Sequence, residues 1–120
     1  MKKLFVSCPT TGRKFEDVVK TGQKMHKIAE VIFEQELEMI DCFRVTELTK
    51  FDLYDMARHI EAMAEADCFI GVNHYWGDVV DIQRGLAERF KIPIAMVEPG
   101  NVIDDWVDPY APISAALAAE

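Results

Sequence analysis

Four short apolar runs alternate along the chain with three longer segments of helical period, and this alternation restricts the fold more than any other feature. Residues 4–7 form the first run, closed by Pro9, Thr10, Thr11 and Gly12. Residues 15–35 then carry Val18, Val19, Met25, Ile28, Ala29, Ile32 and Phe33 at helical spacing, with Gly22 as a weak helix former among them. Residues 38–43 make a second run that includes Glu38 and Asp41. Asp52 is a suitable N-cap for a second helix whose apolar face is Leu53, Met56, Ala57, Ile60, Met63 and Ala64. Residues 68–72 read as a central strand, 79–90 as a third helix and 92–97 as a fourth strand, ended by Glu98-Pro99-Gly100-Asn101. A short helix is expected near 113–119.

The strands are continuous apolar runs and lack strict alternation, the pattern of a parallel sheet covered on both faces. The 120 residues suffice for one domain, 1–120, and not for two. The expected architecture is a three-layer α/β domain of flavodoxin/Rossmann-like type with a four- to five-stranded parallel sheet. Ligands of such sheets bind outside the carboxyl ends of the strands, which selects the loops at 8–13, 43–50 and 73–78.

Composition narrows the function classes. The net charge of −8 argues against a nucleic-acid surface, which carries a basic stripe, but leaves room for a local anion site. Cys8, Cys42 and Cys68 are odd in number and far apart, and none has metal-ligand spacing, so neither zinc nor a disulfide framework is expected. Free thiols fit a reducing cytoplasm. No run approaches the length of a membrane span, and Met1-Lys2-Lys3 precedes a stretch too short for a signal peptide.

The first loop, Ser7-Cys8-Pro9-Thr10-Thr11-Gly12-Arg13, joins a strand end to a helix start. Backbone N–H groups there attract anions, Thr10 and Thr11 add hydroxyls, and Arg13 can clamp two phosphate oxygens. The plainer alternative is that the threonines cap the helix and Arg13 is solvated. The loop is no P-loop, since GxxxxGK[ST] is absent. The second constellation is Asn73-His74-Tyr75-Trp76-Gly77-Asp78, where aromatic rings can stack on a base or sugar or instead cover the core or a neighbouring subunit. Asp78 and Asp81 at the start of the third helix either serve the helix dipole or present a carboxylate to a sugar carbon.

The opening FVSCPTTGR resembles the start of small relatives of the nucleoside 2-deoxyribosyltransferases and of the related nucleotide N-glycosidases. The stretch ending Ala66-Asp67-Cys68-Phe69-Ile70 is similar to that family's D-hydrophobic strand segment. Gln83-Arg84-Gly85-Leu86-Ala87 followed by Ile92-Pro93-Ile94 is similar to its E-x-G-x-A…G-x-P-V segment, and Tyr75-Trp76 lies where relatives often have a Trp. The resemblance covers most of residues 4 to 97. It implies a pocket for a nucleoside or nucleotide lined by Ser7, Pro9, Thr10, Thr11, Gly12, Arg13, Asn73, Tyr75, Trp76, Gly77 and Gln83, with no cofactor and no metal. It also implies a homo-oligomer, a dimer or larger ring, in which neighbouring subunits complete the pocket.

In the family's enzymes a Glu opening E-x-G-x-A attacks the anomeric carbon, and an Asp eight residues before the D-hydrophobic strand is its acidic partner. Here those positions hold Gln83 and His59. Three expectations follow. One is N-glycosidic bond hydrolysis or deoxyribosyl transfer by a divergent site built on Asp81, His59 and Asp78. Another is a catalytically inactive protein that binds a nucleotide or nucleotide-derived signal. The third is an assembly subunit that uses aromatic surfaces such as Tyr75, Trp76 and Trp106.

Overall fold

The computed structural model describes residues 1–9, 13–40, 53–73, 78–104 and 106–107, with residues 53–56 and 78–80 described by their backbone alone. The elements run β1 (Lys2–Val6), α1 (Phe15–Ile32), β2 (Leu37–Ile40), α2 (Leu53–Glu65), β3 (Cys68–Val72), α3 (Asp78–Arg89) and β4 (Ile94–Val97), followed by a 3₁₀ turn at Pro99–Asn101. All pairings are parallel, in the order β2-β1-β3-β4. This is the expected α/β architecture, a four-stranded parallel sheet with three helices, compatible with a flavodoxin/Rossmann-like fold. The expected Asp52 cap, the second connection at 43–50 and the helix at 113–119 lie outside the described residues.

The strand order dictates the layers. β2 lies on one side of β1 and β3 on the other, so right-handed crossovers carry α1 to one face and α2 and α3 to the opposite face. The core divides accordingly. Leu4, Val6, Ile70, Val72, Ala95 and Val97 pack with Met25 and Ala29 of α1. Phe5 and Phe69 pack with Met63 and Ala66 at the end of α2 and with Ala87 of α3. Phe5 and Phe69 are stacked at 5.8 Å between ring centroids. Gly71 keeps space for that pair, because a Cβ on it would lie 2.9 Å from the Phe69 ring.

Asp67 registers the two central strands. Its carboxylate accepts the Lys3 backbone N–H at 2.8 Å, and its own N–H donates to the Lys3 carbonyl at 2.8 Å. Glu30 and His26 of α1 likewise hold the Leu37 N–H and carbonyl at the start of β2.

Two sequence expectations about helices are corrected. The apolar face assigned to α2 is rotated: Ala57, Ile60 and Ala64 are exposed, and the inward stripe is His59, Met63 and Ala66. A histidine with a buried hydrogen-bond partner takes a place that hydropathy gives to an apolar residue. The first helix ends at Ile32, short of residue 35, because Glu34 adopts a left-handed φ of 56°. Its N–H reaches Val31 and that of Gln35 reaches Glu30, a Schellman closure without the usual glycine. Lys91, at φ 57°, ends α3 the same way through bonds to Glu88 and Ala87.

Candidate functional site

Ser7 extends β1 by one residue, its N–H donating to the Ile70 carbonyl at 2.9 Å. Side chains alternate along this strand. Leu4 and Val6 face α1, while Phe5 faces α2 and α3, so Ser7 enters the α2/α3 layer behind Phe5. The serine is wholly buried at the carboxyl end of β1, beside β3. That is the point where the strand order reverses, and where open parallel sheets bind ligands.

Ser7 does not stand alone there. Its Oγ donates to Oε1 of Gln83 at 2.5 Å, and Nε2 of Gln83 bonds to Nδ1 of His59. All three side chains are buried. Gln83 comes from the inward face of α3, one turn before Ala87, and His59 from the inward face of α2, one turn before Met63. The His59 ring meets Phe5 edge-on at 6.1 Å.

The direction of the chain fixes its chemistry. In this orientation of the Gln83 amide its nitrogen faces Nδ1 of His59 as donor. The serine proton is committed to the amide oxygen. A hydroxyl, an amide and an imidazole make up the chain, with Gln83 standing between the serine and the histidine. Compared with family models, curated proteins and solved structures, this chain matches none of them.

The other expected site residues fall in several places. Arg13 is turned onto α1. Its Nη1 donates to the Pro9 carbonyl at 2.9 Å, and its Nη2 to Oγ1 of Thr21 at 2.6 Å and to the Asp17 carbonyl at 3.3 Å. Pro9 is buried. Asn73 is tied to the end of β4, through its N–H to the Val97 carbonyl at 2.8 Å and its side-chain amide to Glu98 at 3.3 Å. Asp81 is exposed on α3. Two positions along a helix turn about 200°, so it projects away from the face that carries Gln83. Asp78 is the first residue of α3. Thr10, Thr11, Gly12, His74, Tyr75, Trp76 and Gly77 lie outside the described residues.

Cys8 follows on the opposite face, packed against the α1 core, with its thiol directed at the Val18 carbonyl at 3.4 Å. Burial pushes it from an ordinary 9.0 up to about 12, against the pull of the Arg13 charge. A thiol so protonated is no nucleophile at neutral pH. Among the described residues, no three of His, Cys, Asp and Glu gather closely enough to hold a metal ion, and no helix is long and apolar enough to cross a membrane.

The sequence pointed to Ser7, His59 and Gln83 one at a time, with no sign of their bonding. A polar residue at i, followed by buried residues at i+4 and i+7 as in His59, Met63 and Ala66, is the signal that places a histidine on an inward stripe.

Proposed function

We propose that this protein binds a nucleoside or nucleotide at the carboxyl ends of β1 and β3 and leaves its glycosidic bond intact. The observation that carries this reading is the hydrogen-bonded chain from Ser7 through Gln83 to His59 at the reversal of strand order. Two of its members occupy the positions at which the resemblance to nucleoside 2-deoxyribosyltransferases calls for carboxylates, and they are bonded to each other. An amide and an imidazole supply no carboxylate to attack an anomeric carbon or to stabilise an oxocarbenium ion. That replacement also removes negative charge that would repel a phosphorylated ligand. In this reading Tyr75 and Trp76, in the connection from β3 to α3, supply stacking surface for the base.

The reading with turnover needs a substitute carboxylate. Asp81 projects away from Gln83 and does not supply it, which leaves Asp78 at the start of α3 as the candidate that turnover would require. The test follows the ligand. A nucleoside or nucleoside monophosphate that raises the melting temperature is recovered unchanged after long incubation; free base in the recovered material refutes the proposal.

A further inference from the structure

The α1 face carries a concentration of charge, on the opposite side of the sheet from Ser7, Gln83 and His59. A cavity of about 280 Å³ opens beside the first two turns of α1. Arg13, Lys14 and Lys20 line it, together with the buried Thr21 and Val102 and the exposed Asp104 that follows β4. Three cations thus meet two carboxylates, Asp17 and Asp104, in a chain whose overall charge is −8.

Asp104 is not a passive lining residue. Lys24 donates to its carboxylate at 2.6 Å. That bond, the Lys24 charge, and the charges of Lys20 and Arg13 hold the carboxyl below its ordinary range. Three cations, Arg13 with Lys20 and Lys24 of α1, therefore act on one carboxylate supplied from the far end of the sheet. Arg13 is fixed in place by Pro9, Asp17 and Thr21, so its charge stays at the cavity wall.

We propose that this cavity is a binding site for a small phosphate-bearing anion, with Asp104 as the built-in competitor that the ligand displaces from Lys24. A monocarboxylate offers these cations no more than Asp104 already does, whereas a phosphate brings more charge and three acceptor oxygens. The volume lies just below the range of about 300–1,000 Å³ typical of drug-sized ligands, which suits inorganic phosphate or a phosphomonoester with a short carbon skeleton. The site lies across the sheet from Ser7, Gln83 and His59 and takes Arg13, which the resemblance assigns to the nucleoside pocket.

Calorimetric titration with inorganic phosphate and with glycerol phosphate, at low ionic strength held constant with chloride, tests it. Saturable binding of either is expected, the tighter of the two identifying the free anion or the ester as the ligand. Lys20→Ala weakens binding about tenfold and Lys20→Arg retains it. Asp104→Asn tightens binding several-fold, whereas Glu61→Gln, the same charge change on exposed α2, leaves it unaltered. The proposal is overturned by absence of saturable binding, by indifference to Lys20→Ala, or by an Asp104→Asn effect no larger than that of Glu61→Gln. A bridge that only braces the fold changes the melting temperature and not the affinity.

Discussion

Gln83 bridges the sheet and α2: it accepts from Ser7 of the sheet and donates to His59 of α2. Replacing it with leucine keeps the volume but leaves a buried hydroxyl and a buried ring nitrogen without this partner. Each orphaned group costs about 1–3 kcal/mol, so Gln83→Leu is expected to lower stability by about 2–6 kcal/mol in urea unfolding. An unchanged midpoint would mean that the chain contributes nothing to the fold. Cys8 gives a prediction of the opposite electrostatic kind. Its folded thiol stays protonated up to about 12, while the unfolded thiol ionises from 9.0. The unfolded state then binds fewer protons, so stability falls as pH rises from 9.0 toward 12. Cys8→Ala is expected to flatten that alkaline limb, measured as melting temperature against pH.

At the scale of elements, helix ends and close approaches carry the testable content. Glu34 holds a left-handed backbone that L-residues adopt at a cost of about 1–2 kcal/mol, partly offset on substitution by the greater chain entropy of glycine. Glu34→Gly is therefore expected to raise stability by about 0.5–1 kcal/mol, read from the shift in urea midpoint. Gly71→Ala works against the fold, since the new Cβ meets the buried Phe69 ring and the Met96 sulfur at 3.2 Å. Overpacking of this kind costs about 1–3 kcal/mol, and the same unfolding measurement reports it. These elements also show what the sequence made legible. The four strands and three helices were readable in order and kind, because period and run length are local properties. The ends of α1 and α3 were not, because a glutamate and a lysine occupy positions where glycine is the usual signal. The inward face of α2 was misread because His59 looks polar until its partner is known. That partner lies 24 residues away on another helix. Its proximity follows from a sheet order that no single segment encodes.

The molecule as a whole presents two chemically different faces on one sheet. On the α2/α3 side a hydrogen-bonded chain of hydroxyl, amide and imidazole lies under the point where strand order reverses. On the α1 side cations gather around a cavity and one carboxylate, in a protein with 21 acidic and 13 basic residues. The proposed function takes its ligand class for the first face from the sequence resemblance to nucleoside 2-deoxyribosyltransferases, and its expectation of binding without cleavage from the pairing of Gln83 with His59. The decisive measurement is chromatography of nucleosides and nucleoside monophosphates after prolonged incubation with the wild-type protein, on those ligands that raise its melting temperature. The account predicts at least one such ligand, recovered with its glycosidic bond intact. Release of free base above the rate of a protein-free control, or no stabilising ligand in the panel, would contradict it.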